Sequence, residues 1–371
     1  MVATVGGVLS SVLDESRQTS LGGVTRVSET TARATGAEAP RAAPGRLPRR
    51  SSVTDATVPV DLGVIQPRRR LGTSDLRVFP MAIGGNVFGW TADQTETRAV
   101  LDTYFDLGGN FVDTADSYAG GRSEIMIGSW MRSRRSRDDM VVSTKVGKSA
   151  DNPGLTPRAI ERAVDASLER LGTDRIDLLY LHVDDTEVAF ERTLLAVDHL
   201  IRVGKVRWFG GSHHSGNRLY EARIAAGMLG IAPMVALQNQ YTLLDRSEYE
   251  KGLAHVAAQQ RLAVMPRFAL ASGFLTGKYR SRSDFAHSPR RRALAKYLSK
   301  RGLKVVHELD RIASVHEVSS AAIALAWLLA KPNVVAPVAS ATNAKQVYEL
   351  AQAARVQLTR NQVLDLDRAS A

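Results

Sequence analysis

The sequence predicts an α/β fold: a (β/α)8 TIM barrel over residues 68–371, preceded by a disordered extension over residues 1–67. Three observations carry this prediction. From about residue 71 onward, short apolar β-rich runs alternate with amphipathic runs. Eight strand candidates fit into about 300 residues, which suits one barrel better than a doubly wound sheet. The first seventy residues differ in composition from everything after them.

The strand candidates, in order, are MAIGG (81–85), FVDTA (111–115), MVVSTKV (140–146), IDLLYLH (176–182), VRWFGGS (206–212), MVALQNQ (234–240), LAVMPRF (262–268) and VVAPVAS (334–340). Helical runs lie between them. In the stretch 156–172, Ala159, Ala163, Ala166, Leu168 and Leu171 fall near one face. Thr156 followed by Pro157 is a start signal, and Gly172 is a stop signal. Further helices are read at 190–204, 217–229 and 320–330. Strands that are apolar on both faces and separated by helices indicate parallel βα units.

Residues 1–70 contain no Phe, Tyr or Trp, and the first aromatic is Phe79. Ten Arg against six acids give this stretch a net charge of +4, out of +11 for the chain, leaving +7 for residues 71–371. Such a segment cannot bury enough apolar surface to offset its ordering entropy. Its Arg- and Ser-rich, acid-poor composition is open to two readings: a transit peptide, or a start assigned upstream of the folded unit.

Composition removes several function classes. Without Cys there is no disulfide scaffold, thiolate metal site or Cys nucleophile. That absence fits a reducing compartment, and a cytoplasmic location is expected. No apolar run reaches the roughly 18 residues needed to span a bilayer. Of the 49 basic residues only 10 are Lys, and the Arg are scattered, so the charge is read as composition rather than as nucleic-acid binding. The stretch GFLTGKY (273–279) has three residues between its glycines where a phosphate-binding P-loop has four, and Tyr279 where that loop has Ser or Thr.

In such barrels chemistry sits at the C-terminal ends of the strands. Asp113 lies near the end of the second strand, with Tyr118 just beyond it. Lys145 closes the third and His182 the fourth. Lys145 is also the first lysine in the chain. Each alone has a structural reading: a packing Tyr, a hydrogen-bonded His, a structural Lys–Asp pair. Their joint placement on three consecutive strands suggests chemistry. A phenol has a free pKa of about 10, and an adjacent ammonium favours its phenolate. A carboxylate would hold the ammonium, and the group as a whole could protonate an oxyanion.

These motifs also carry a resemblance. NFVDTADSYAGGRSE looks like the aldo-keto reductase signature, STKVG like its Lys strand and LYLHVDD like its His strand. The opening LGTSDLRVFPMAIGGNVFGW is similar to that family's N-terminal β-hairpin and first strand. The resemblance runs from about residue 70 to the C-terminus. It implies a catalytic set of Asp113, Tyr118, Lys145 and His182: Tyr118 donates a proton to the substrate oxygen, Lys145 held by Asp113 favours its phenolate, and His182 orients the carbonyl. The hydride would come from NADPH, because no side chain can supply one.

Cofactor positions follow from the same likeness. Ser212 and Gln238 match positions that grip the nicotinamide carboxamide. His213 stands where Asn is common, and Arg267 where an aromatic usually stacks on the ring. Leu270, Ser272 and Lys278 match the loop that straps the pyrophosphate. Arg290 is read either as a phosphate contact or as part of a solvated basic loop. Ser340, Thr342, Gln346 and Glu349 match the adenosine-phosphate segment. The usual base for the 2′-phosphate is absent there, with Lys345 near but out of register, so the NADP preference rests on the resemblance. Trp90 and His182 are the expected substrate contacts. Asp184 and Asp185 are open to two readings, contacts to a hydroxylated substrate or solvated loop acids.

The implied function is NADP(H)-dependent reduction of a small aldehyde or ketone, a sugar or secondary-metabolite ketone among them. No nucleic-acid or membrane partner is expected, and the oligomeric state is left open. The alternative is a redox-sensing nicotinamide-binding module with little turnover, as in channel β-subunits of the same family. A glycosidase reading fails for lack of a second free carboxylate, since Asp113 is better explained by Lys145 and only Asp116 lies nearby.

Overall fold

The computed structural model describes residues 66–371. The expected extension lies outside the described residues up to position 65. At Gln66 the chain is already tied to the folded unit, its N–H donating to the Ala354 carbonyl at 2.9 Å.

Strands β1 (Arg69–Arg70) and β2 (Arg77–Val78) pair antiparallel as a hairpin. The βα alternation then begins. It runs β3 (Ala82–Gly84), α1 (Gln94–Asp106), β4 (Phe111–Asp113), α2 (Arg122–Arg134), β5 (Val141–Val146), α3 (Pro157–Leu171), β6 (Ile176–Leu181) and α4 (Phe190–Arg202). It continues β7 (Val206–Ser212), α5 (Gly216–Leu229), β8 (Ala236–Gln238), α6 (Ala254–Gln260) and β9 (Ala263–Val264). After a long loop come α7 (Arg291–Ala295), α8 (Lys300–His316), α9 (Ser320–Leu329), β10 (Val338–Ala339), α10 (Ala344–Ala351) and α11 (Arg360–Ala369).

The eight strands β3 to β10 form one parallel sheet, ordered β10-β3-β4-β5-β6-β7-β8-β9. Its two ends meet. The Val264 N–H donates to Asn333 O at 2.8 Å, Val335 N–H to Val264 O at 2.9 Å, and Val338 N–H to Pro266 O at 2.9 Å. These bonds close the ring, so every strand edge is paired. Each of the eight expected strands is present; β7 has the expected bounds and the other seven are shorter than their apolar runs.

The pleat sorts side chains into two cores. Phe111, Val141, Leu178, Tyr180 and Met265 fill the barrel interior, and Leu71, Leu76 and Val78 of the hairpin pack against that cluster. Val112, Val142, Leu179 and Leu181 alternate with them and meet the helices. Burying each large apolar side chain stabilises the fold by roughly 1.5–3 kcal/mol.

Helix α3 forms as its sequence dictates. The Thr156 side chain accepts from the Ala159 N–H, Pro157 opens the first turn, and Gly172 ends the helix in the left-handed region at φ 61°. Helix α9 is buried over Ala321–Leu329 and carries no polar face, consistent with a fully enclosed helix. Among the described residues, no single helix is long and apolar enough to cross a membrane.

Candidate active site

The C-terminal rim of the ring gathers the residues singled out above. Asp113 ends β4, Lys145 is the penultimate residue of β5, His182 follows β6, Ser212 ends β7 and Gln238 ends β8. Alternation turns Ser143 and Lys145 inward together, and likewise Tyr180 and His182.

Lys145 is completely buried. Its Nζ donates to Asp113 Oδ2 at 2.7 Å and to the Thr114 carbonyl at 2.6 Å. It lies 5.0 Å from the centre of the Tyr118 ring and 5.9 Å from that of Tyr180. Burial alone would lower the pKa of this ammonium, but Asp113, and after it Tyr118, hold it above the usual lysine value. Asp113 Oδ1 accepts from Ser143 Oγ at 2.8 Å and from Gln238 Nε2 at 3.0 Å. Both oxygens of Asp113 and two of the three Lys145 N–H groups are thus hydrogen-bonded, which is what makes a buried pair tolerable.

His182 is buried and its ring meets Tyr118 edge-on, with centroids 6.2 Å apart. Burial, and then Lys145 and Lys148, push its pKa down to about 2, so the imidazole is neutral. Its Nδ1 is buried without a hydrogen-bond partner. His213 sits in the left-handed region at φ 62°. It contacts Ser212 Oγ at 3.0 Å and Lys148 Nζ at 3.3 Å. Burial, then Arg267 and Lys148, lower its pKa to about 4.

A cavity of about 770 Å³ opens from this point. Asp113, Tyr118 and Gln238 line one part of it. Of the remaining expected positions Trp90, Arg267, Leu270, Ser272, Lys278, Arg290, Ser340, Thr342, Gln346 and Glu349 also line it. Lys145, His182, Ser212 and His213 do not; Lys145 and Ser212 are fully buried. Gln238, read from the sequence as a carboxamide contact, donates one side-chain N–H to Asp113, which leaves its other N–H and its Oε1.

The walls are built locally. The loop after β9 holds Phe268, Ala271 and Ser272 at φ 53°, 50° and 60°. Non-glycine positions of this kind cost of order 1–3 kcal/mol each and cluster at ligand sites. Opposite, the Asn343 side chain caps α10 by accepting from the Gln346 N–H, and Gln346 Oε1 accepts from the Thr342 N–H at 3.0 Å. Ser340 Oγ donates to Asn86 Oδ1 at 2.5 Å. Glycine is required at Gly84, where a Cβ would come within 2.7 Å of Ser340 Oγ. The Arg290 guanidinium lies 5.7 Å from the centre of the exposed Trp90 ring, so β3's loop and the basic loop meet over the cavity.

Sequence reasoning missed several groups. Ser143 and Tyr180 were findable, each two residues before a singled-out residue on an inward face. Lys148 was not, because only tertiary packing brings it to His213. Lys345, read as near the 2′-phosphate position but out of register, lines the cavity. Asp184 and Asp185 are committed to the protein, to Arg218 at 2.8 Å and to the Leu155 N–H at 2.7 Å. Lys278, Arg290 and Lys345 line the cavity, and none forms an ion pair among the described residues. Those cations, beside the capped start of α10, suit an elongated ligand with negative charge along it. No cluster of metal-ligating side chains is present among the described residues.

The likeness to known proteins agrees with this geometry. The aldo/keto reductase family model matches residues 80–371. A probable voltage-gated potassium channel subunit beta from Oryza sativa subsp. japonica is 35% identical over 293 residues, 76% of this chain and 89% of the relative. An NADP(+) aldo-keto reductase from Schizosaccharomyces pombe is 29% identical over 316 residues, 82% of this chain and 91% of the relative. A norsolorinic acid reductase from Aspergillus flavus is 28% identical over 314 residues, 80% of this chain and 79% of the relative. The chain belongs to the aldo/keto reductase family.

Proposed function

We propose that this protein is an NADP(H)-dependent reductase of aldehydes or ketones, with Tyr118 as the proton donor. The observation that carries this reading is the Asp113–Lys145 pair, 2.7 Å long and fully buried, with Tyr118 set against its ammonium at the end of the cavity. The names of the Schizosaccharomyces pombe and Aspergillus flavus relatives support the activity, and the former supports the cofactor.

The residues present fit a nicotinamide dinucleotide phosphate. The cavity has the volume of a cofactor site, and unpaired Lys278, Arg290 and Lys345 offer counter-charge to phosphates. Bound there, the nicotinamide supplies the hydride. Everything else falls to the chain. Lys145 keeps its charge because Asp113 holds it, and a held ammonium stabilises developing negative charge on the Tyr118 oxygen as its proton leaves. Ser143 and Gln238 keep Asp113 oriented. Neutral His182 orients the carbonyl against Tyr118 without competing as a charged acid. Trp90 and residues of the 268–273 loop line the cleft.

The name of the Oryza sativa relative favours a second reading, a nicotinamide-binding module with little turnover that acts on a channel. Fluorescence titration with NADPH and NADH, in wild type and Tyr118→Phe, followed by an aldehyde assay, separates the two. Tight NADPH binding in both proteins with aldehyde turnover only in the wild type supports the reductase. Binding without turnover favours the module. Binding of neither nucleotide overturns both.

A further inference from the structure

The cation placement around Tyr118 goes beyond what carbonyl reduction requires. Arg267 lines the cavity beside Tyr118, and its Nε is buried without a hydrogen-bond partner. The guanidinium lies 5.0 Å from the Phe268 ring centre, so one of its faces is occupied and its N–H edge remains. Burial lowers its pKa; Tyr118 and Glu248 oppose this in part, and Glu248 is not within ion-pair distance. On the other side of His182, Lys148 reaches His213 at 3.3 Å and makes no ion pair among the described residues. After burial, Arg267 and Lys148 both disfavour the charged forms of His182 and His213. The third cation, Lys145, is neutralised by Asp113.

Arg267 is half-buried with an unpartnered Nε and lacks the counter-charge its desolvation calls for, while Lys148, exposed beside His213, repels it. An anion supplied by the ligand satisfies both. A guanidinium edge suits a planar carboxylate, which accepts two parallel N–H bonds. We propose that the substrate is a carbonyl compound bearing a carboxylate, which Arg267 and Lys148 bind while the carbonyl faces Tyr118. This rests on the reductase reading above. The carboxylate is a spectator: no bond to it forms or breaks, and it serves to place the carbonyl.

The test compares 4-carboxybenzaldehyde with its methyl ester, methyl 4-formylbenzoate, using wild type, Arg267→Met and Lys148→Met with NADPH. Wild type is expected to favour the acid by about 10-fold to 100-fold in kcat/KM, the size of a charge-assisted contact, with the difference in KM. The preference shrinks as salt is raised. In each variant the acid-to-ester ratio falls toward one. Equal kcat/KM for the two aldehydes in wild type, or a ratio that neither substitution changes, overturns the proposal while leaving the reductase reading intact. If neither aldehyde is reduced, the reductase reading fails, and tryptophan fluorescence titration with terephthalate decides the anion site. Binding weakened at least tenfold by both substitutions supports it, and no binding overturns it.

Discussion

Gln238 at the end of β8 donates its side-chain amide to Asp113 at the end of β4, 3.0 Å away and 125 residues distant in sequence. The bond crosses the mouth of the barrel. Together with Ser143 it fixes the carboxylate that holds Lys145, so the placement of Lys145 beside Tyr118 depends on a residue that forms no hydrogen bond with Lys145.

Replacing Gln238 with Leu removes that donor and leaves Asp113 Oδ1 with Ser143 alone. A loss of about 1–3 kcal/mol in stability is expected, read as a fall in the urea midpoint without a change in slope. An unchanged midpoint would show that the bond does not support the site.

The buried pair itself predicts strong coupling. Lys145→Met alone leaves a buried carboxylate without its cation and is expected to cost about 3–5 kcal/mol. The double variant Asp113→Leu with Lys145→Met should lose clearly less than the sum of the single losses. Additive losses from denaturant curves would contradict a direct interaction.

Asp116 gives a pH signature. Its carboxyl is buried with both oxygens unpartnered, and burial, then Glu124, raises its pKa to about 7. The native state therefore keeps a proton that the unfolded chain releases above about pH 4. Asp116 thus makes stability fall as pH rises from about 4 to 7, with a slope approaching 1.4 kcal/mol per unit. Asp116→Asn should gain on wild type across that window and level off above it. A pH-independent difference in urea midpoints would contradict this.

His182 works in the opposite direction. Its native pKa, about 2, lies below the free value of about 6.5, so its contribution is present above pH 6.5 and is lost as pH falls below it. His182→Gln should flatten the acid limb of the stability profile between pH 6.5 and 4. An acid limb as steep as that of wild type would mean that the native imidazole takes up its proton normally.

The ring of strands was legible because apolar, β-rich runs separated by amphipathic ones leave few alternatives. Strand lengths were not. The run 262–268 yields only Ala263–Val264 as ladder, because Pro266 has no N–H to donate and Phe268 turns left-handed. Asp113, Tyr118, Lys145 and His182 were readable as polar groups at or beyond apolar strand ends. The Gln238–Asp113 bond was not, since it joins strands on opposite parts of the ring. The reach of Lys345 to the cavity was not legible, because it depends on the start of α10, which Asn343 caps.

The central claim is that Tyr118 delivers the proton. Its most direct test is the rate of NADPH oxidation with saturating aldehyde in wild type and Tyr118→Phe, under conditions where both bind the nucleotide. With Tyr118 as proton donor, kcat for Tyr118→Phe falls by roughly 100-fold to 10,000-fold, the range for a removed general acid. Turnover by Tyr118→Phe at the wild-type rate would contradict it.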